Sequence, residues 1–446
     1  MARGKKKGSA LTSEEKLVQA LVPMEEQPYK VPKNWCWTKA GNMVTLYRGV
    51  SYKKNDAHTE KGENDCLIMR GGNISEGGID TEADNVYVNK DLVTQEQLVK
   101  KHDIIIVSST GSTKVIGRAG ISLMDYDDVA FGAFLTLLRP VDYVSKSFVD
   151  YYFQSDLYRE RIRSLASGVN INNIRTEYIT ESPVPLPPLA EQQRIVDRIE
   201  YLFAKLSEAK EKAQSVLDSF ETRKAAILHK AFTGELTARW RAAHSLDIAS
   251  WKNLYLKDIC DYMKAGGDKP VDFVDEQDDV HCIPVVANGI SNEGIIGYSA
   301  ESKYDGETVT VSGRGTIGYS IYRNYSYYPV VRLIVLGPKK DVYAKFLKYA
   351  FDAFPEEGTG SSIPQLTVPM IKEKVIPVPC IEEQAEIVRI IDSLFVKEQQ
   401  AKEATEAVLE KIDLLKKSIL ARAFRGELGT NDPTEESALE LLKCIL

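Results

Sequence analysis

Two stretches place hydroxyls, glycines and a cation directly after an apolar run. One is Ser112-Thr113-Lys114 within "IIIVSSTGSTKVIG", which begins at Ile104; the other is Ser312-Gly313-Arg314-Gly315-Thr316 within "TVTVSGRGTIG", which begins at Thr308. Glycines let backbone N–H groups approach phosphates, and Ser and Thr hydroxyls add short donors. Arg, Lys or Asn can bond the edges of guanine or adenine. Similar sets stand at Tyr52-Lys53-Lys54 and Arg70-Gly71-Gly72-Asn73 in the first half, and at Asn288-Gly289 and Arg323-Asn324 in the second. Any one of these loops alone reads as an ordinary polar turn. The recurrence of one loop type after a strand in both halves points instead to DNA. The candidate contacts are Tyr52, Lys53, Lys54, Arg70, Asn73, Ser112, Thr113, Lys114, Asn288, Ser312, Arg314 and Thr316.

Catalytic chemistry finds no such support. Gly111-Ser112-Thr113-Lys114 lacks the order of a phosphate-binding P-loop, and no glycine fingerprint of a dinucleotide or methyl-donor fold opens a helix. The Asn-Pro-Pro or Asp-Pro-Pro tetrad of amino-methyltransferases is missing. Acidic clusters at Asp125, Asp127 and Asp128, and at Asp275, Glu276, Asp278 and Asp279, read as solvated loops because neither has the Glu-x-Lys of a nuclease beside it. The five histidines are dispersed and pair with no nucleophile; the six cysteines form no Cys-x-x-Cys pair, which argues against a zinc site and for a reduced cytoplasm. No metal and no cofactor is expected. The formal charge of −7 argues against a protein that simply coats nucleic acid, since nonspecific binding rests on a positive field, but not against basic loops on an acidic body. The same charge suits a rival reading, a coiled-coil adaptor whose globular ends bind protein.

The elements that must carry these loops follow from a repeat. "AILHKAFTGEL" begins at Ala226 and "SILARAFRGEL" at Ser418; "PLPPLAEQQRIV" begins at Pro185 and "PVPCIEEQAEIV" at Pro377. Both pairs are offset by 192 positions, so the chain contains an internal duplication. Between the copies the halves differ far more. The order is thus variable, similar, variable, similar.

Each similar part has a heptad seam. The first runs through Ile195, Ile199, Leu202, Leu206, Ala209, Ala213, Val216 and Phe220, interrupted at Arg223; the second runs through Ile387, Ile391, Leu394, Ala401, Thr405, Val408 and Ile412, interrupted at Glu398. Prolines precede each seam and a glycine, Gly234 or Gly426, closes it, the usual punctuation of a helix. Two helices of about 65 Å each are expected, at ~1.5 Å per residue. A long helix with one apolar seam needs a partner, and the other copy supplies it. The fold class expected is α+β: two mixed, strand-rich domains separated by two long helices that form an antiparallel intramolecular coiled coil with pseudo-two-fold symmetry. The expected bounds are a basic, helical tail at 1–27, a first strand-rich domain at 28–188, a spacer at 189–236 and a linker at 237–249. A second strand-rich domain at 250–380, a spacer at 381–428 and a tail at 429–446 complete the chain. No apolar run is long enough for a transmembrane helix, and the basic start "MARGKKKGSALTSEEKL" has no apolar stretch behind it, unlike a secretory signal.

This layout, with a Pro-Pro-Leu-x-Glu-Gln opening that becomes Pro-Cys-Ile-x-Glu-Gln in the second copy and an Ala-Phe-x-Gly-Glu-Leu close in both, resembles the specificity subunit of a type I restriction–modification system. "SGVNINNI" at Ser167 is similar to the stretch leading into that family's first conserved region, with Asn170, Asn172 and Asn173 in it; "TGSSIPQL" at Thr359 departs from it. The resemblance implies that the variable domains are target recognition domains, each reading one half of a bipartite, asymmetric site in double-stranded DNA. It implies a helix pair that fixes the spacer and docks two methyltransferase subunits, with restriction–translocase subunits joining them. S-adenosylmethionine, ATP and magnesium would belong to those partners, and the chain would have no active site.

Overall fold

The run Ile104-Ile105-Ile106-Val107 is buried on both sides, and its alternation decides where two layers meet. Ile104 and Ile106 face helices, while Ile105 and Val107 face a second sheet. A strand apolar on both faces belongs at the centre of a layered domain. A computed structural model describes residues 12–112, 114–167, 173–354 and 365–446. They form two units, Met1–Glu211 with Leu409–Leu446, and Lys212–Val408.

In the first unit the strands are β1 (Cys36–Lys39), β2 (Val44–Arg48), β3 (Asp65–Met69), β4 (Ile74–Ser75), β5 (Gly78–Ile79), β6 (Tyr87–Asn89), β7 (Ile104–Val107), β8 (Ala119–Ile121), β9 (Val129–Phe131), β10 (Leu135–Pro140) and β11 (Pro183–Leu186). A four-stranded sheet has the order β2-β10-β7-β8, and a three-stranded sheet the order β6-β3-β9, with β3 and β9 parallel. Leu67, Met69, Val129 and Phe131 meet Ile105, Val107, Leu135 and Leu137 between the two sheets. Helices Lys146–Gln154 and Asp156–Ser167 cover the other face of the larger sheet. β1 pairs with β11 alone.

The second unit repeats this plan with a different sequence. Its strands are β12 (Lys252–Tyr255), β13 (Cys260–Ala265), β14 (Ile283–Val286), β15 (Ile295–Ser299), β16 (Thr308–Val311), β17 (Ser320–Arg323), β18 (Tyr328–Pro329), β19 (Ile334–Pro338) and β20 (Val375–Val378). The four-stranded order is β13-β19-β16-β17, the three-stranded order β15-β14-β18 with β14 parallel to β18, and β12 pairs with β20. Apart from the β4-β5 hairpin, which has no counterpart here, this is the topology of the first unit strand for strand. Helix Ala344–Ala353 covers the larger sheet through Phe346, Leu347 and Ala350.

The stalk helices correct the expectation in two respects. The second copy is one helix, Ile381–Phe424, but the first divides into Leu189–Asp218 and Phe220–Phe232. At the break the Ser219 hydroxyl donates to the Val216 carbonyl at 2.7 Å, a side-chain bond that competes with the helical ladder. Gly234 and Gly426 take φ of 80° and 73°, the left-handed cap that a Cβ would strain. The seam is also narrower than expected. Ile195, Ile199, Ile387, Ile391 and Ile412 are buried, and Leu202, Leu206 and Leu394 are half-buried, but Val216 and Val408 stay exposed at 41% and 47%. Two helices alone cover each other on one side only. Deep burial returns where a globular layer adds another wall, as it does around Ile195 and Ile199 and around Ile387 and Ile391.

Within each unit the helices run antiparallel. In the first, Lys416 lies over the Phe203 ring and Lys210 lies 3.7 Å from Asp413, so one helix ascends as the other descends. In the second, Arg223 reaches Glu398 at 2.9 Å, and Thr237, past the end of that helix, reaches Glu383 at 2.7 Å. The two residues that interrupt the seams thus satisfy each other.

Candidate nucleic-acid interface

Strand register gathers the candidate loops of the first unit onto one rim. Arg48 pairs with Thr136, Thr136 with Ile106, and Leu135 with Val107. Val50 bridges Gly132 and Met69 pairs with Phe131 in the next layer. The C-terminal ends of β2, β3, β7 and β9 therefore lie together, and the loops leaving them carry Tyr52 to Lys54, Arg70 to Asn73, Ser112 to Lys114 and the turn 132–134. The second unit builds the same rim. Val311 pairs with Ile334, Val286 with Pro329, and Gly267 bridges Val330. It collects residues 266–269, Asn288, the loop 312–319 and the turn 330–333. The segments that begin at residues 173 and 365 also reach the rim: Ile174 N–H donates to the Ser108 carbonyl, and Leu366 N–H to that of Gly313.

The residues chosen from sequence divide at this rim. Lys53, Lys54, Ser112, Lys114 and Arg314 are exposed. Arg70 is exposed and ion-paired with Asp84. Tyr52 is half-buried against the cluster around Val50. Thr113, Asn170 and Asn172 lie outside the described residues, and Asn173 is exposed at the rim, bridged to Ser109.

Other expected contacts face inward and are corrected. Asn73 is fully buried: its Oδ1 accepts the Arg70 N–H at 2.7 Å, and its Nδ2 donates to the carbonyls of Asp80 and Ala83. Asn288 donates to the Val331 carbonyl at 2.7 Å and accepts from Gly313 N–H at 2.8 Å. Ser312 is buried, and the Thr316 hydroxyl is buried without a hydrogen-bond partner among the described residues. Arg323, at 1% exposure, spans Thr310, Tyr325 and the Glu293 carbonyl. A buried turn needs partners for its own backbone, and the side chains of Asn73, Asn288 and Arg323 supply them.

Sequence reasoning missed Arg159. It rises from helix Asp156–Ser167, is nearly fully buried, and donates to the carbonyls of Lys114 and Ile116. It thereby fixes the loop that carries Lys114 from beneath. At the start of β7, the end away from the rim, the buried Asp150 carboxyl bonds His102 at 2.5 Å; burial pushes its pKa up to about 6.

The duplicated Glu-Gln explains itself at the base of each unit, away from the rim. Glu191 is fully buried and accepts from Trp35 Nε1 at 2.7 Å and Asn431 at 2.9 Å; Arg194 grips Glu435 with two bonds of 2.8 Å. Glu383 accepts from Trp251 Nε1 at 2.9 Å and from Thr237 and Arg241 at 2.7 Å. Gln192 and Gln384 accept the N–H groups of Ser145 and Tyr343, which cap the helices that cover each larger sheet. Each motif therefore ties a strand-rich layer, a stalk helix and the segment after a Gly-Glu-Leu into one buried polar knot.

Among the described residues no cluster of His, Cys, Asp and Glu could hold a metal ion, and no helix is long and apolar enough to cross a membrane. Compared with known proteins, residues 32–216 and 249–411 match the family model described as the type I restriction modification DNA specificity domain. The chain is 29% identical over 427 residues to the EcoKI specificity subunit of Escherichia coli K12, covering 90% of each protein. It is 30% identical over 437 residues to the StySPI specificity subunit of Salmonella potsdam, again covering 90% of each. The fold is similar to a crystal structure of the HsdS subunit from Thermoanaerobacter tengcongensis, with a TM-score of 0.60 at 19% identity, covering 91% of this chain and 100% of that one. With its two strand-rich units, its paired stalk helices and this match, the chain belongs to the family of type I restriction–modification DNA specificity subunits.

Proposed function

We propose that each unit reads one half of a bipartite, asymmetric site in double-stranded DNA, through the loops at its rim. The observation that carries this reading is the convergence of separate loops, bearing Lys53, Lys54, Arg70 and Lys114 in one unit and Arg314 in the other, at matching strand ends of two dissimilar domains. Cations and hydroxyls there position the duplex through its phosphates, and side chains that reach the major groove discriminate bases. Unlike loops on a common scaffold read unlike sequences, so the site is not a palindrome.

The stalk helices fix the number of unread base pairs between the halves and dock two methyltransferase subunits, which restriction–translocase subunits then join. The chain itself performs no catalysis in the cytoplasmic complex; methyl transfer to a base flipped from the duplex and strand cleavage belong to those partners. The reading is tested by sequencing modified bases in cells that express the chain with its methyltransferase. The expected result is one asymmetric motif with a gap of constant length. A continuous or palindromic motif would refute it.

A further inference from the structure

Phe134 stands at 68% exposure on the turn between β9 and β10, which is a costly place for a phenyl ring. The Phe134 backbone is held in place. Its own carbonyl accepts the N–H groups of Ser108 and Ser109 at 3.1 Å, and Leu135 N–H closes the turn on Gly132 at 2.9 Å. The turn therefore holds Phe134 out from the rim among Lys53, Lys54, Arg70 and Lys114. Exposed Leu123 and Met124, by contrast, follow β8, whose Ile121 pairs with Ile104 at the opposite end of the sheet.

The same turn in the second unit, between β18 and β19, carries different chemistry. Val331 is 50% exposed and Arg332 is exposed; both take left-handed backbone, with φ of 52° and 60°. Such a conformation at a β-branched residue is an outlier and persists only where the surroundings enforce it. Here they do: Val331 and Arg332 N–H groups donate to Gly267 and Gly266 at 2.9 Å, and Asn288 holds the Val331 carbonyl. Among the described residues no hydrogen bond or ion pair engages the Arg332 guanidinium.

Resting on the reading above, we propose that this turn is a base-reading finger in both units. Phe134 presses on a thymine methyl in one half-site, and Arg332 forks onto the O6 and N7 of a guanine in the other. The turn is common, one residue longer in the second unit, and the residue presented differs, as a specificity-determining contact requires.

The test uses the full chain co-expressed with its methyltransferase, with methylation read at every base of a randomised site. Phe134→Ala should relax preference about tenfold or more at one position of one half-site and leave the other half unchanged, whereas Phe134→Leu retains most of it. Uracil in place of that thymine should reproduce the loss for the unaltered chain and cost Phe134→Ala nothing further. Arg332→Ala and Arg332→Lys should both relax one position of the other half, because an ammonium cannot replace the bidentate fork. A uniform loss across all sequences would reduce the turn to a phosphate contact, and full discrimination by Phe134→Ala or Arg332→Ala would show that the turn reads no base; either overturns the proposal. Lys114→Ala separates the two levels. If it weakens binding while both finger variants behave normally, the finger fails and the interface stands. If all three behave normally, the interface itself fails. Both side chains are exposed, and a thermal melt of each variant should match the unaltered chain.

Discussion

At the scale of residues, exposure sorted the candidates. A polar loop residue in sequence looks the same whether it faces water or satisfies the loop's own backbone. Lys114 and Arg314 face out, but Asn73 and Asn288 serve the turns that contain them and Ser312 is buried, and nothing in "RGGNI" or "VANGI" distinguishes the two fates. Phe134 could not be read as exposed, because phenylalanine between strands ordinarily faces a core. Two predictions belong here. Lys114→Ala removes the outward cation of a loop braced by Arg159 and should weaken specific binding by about 1–3 kcal/mol if it reads a base, measured by filter-binding titration. Asp150 gives a pH dependence. Its folded pKa of about 6 lies above the ordinary carboxylate value of 3.8, so the folded state binds the proton more tightly. That stabilisation is present below about pH 4 and is lost as pH rises to about 6, by roughly 3 kcal/mol at most. Urea titrations should show Asp150→Asn abolishing this fall between pH 4 and 6.

At the scale of elements, the helices were legible and the sheets only in part. Heptads, prolines and closing glycines announced two long helices, but not the interruption at Ser219, where one hydroxyl decides the matter. The strand runs were legible as strands; their order was not, since register depends on partners far away in sequence. The two units share a topology that their sequences barely echo, because alternation of apolar faces specifies a layered scaffold without specifying side chains. The Glu-Gln pair was legible as a motif and opaque as a device. Glu383→Ala would strand the buried Arg241 without its countercharge and should cost the second unit about 3–5 kcal/mol, seen as unfolding at lower denaturant. Lys53→Ala, at an exposed loop, should leave that transition in place.

At the scale of the whole molecule, duplication was the strongest signal in the sequence and led directly to the family. If the stalk sets the gap, then inserting four residues in one stalk helix, about 6 Å of rise, should change the number of unread bases and leave both halves of the motif as they were. Methylation mapping of the variant checks this, and altered halves would count against a spacer. The unit made first by the ribosome is also the last to be completed, because it includes Leu409–Leu446. Asn34 must wait for Asp432, and Glu191 for Asn431, so sequence separation delays its closure. The second unit, contiguous from Lys212 to Val408, can finish while its elder is still open at the base. A frameshift within the codons for Leu409–Leu446 would thus cripple the reader that lies before Lys212, and spare the one between Lys212 and Val408.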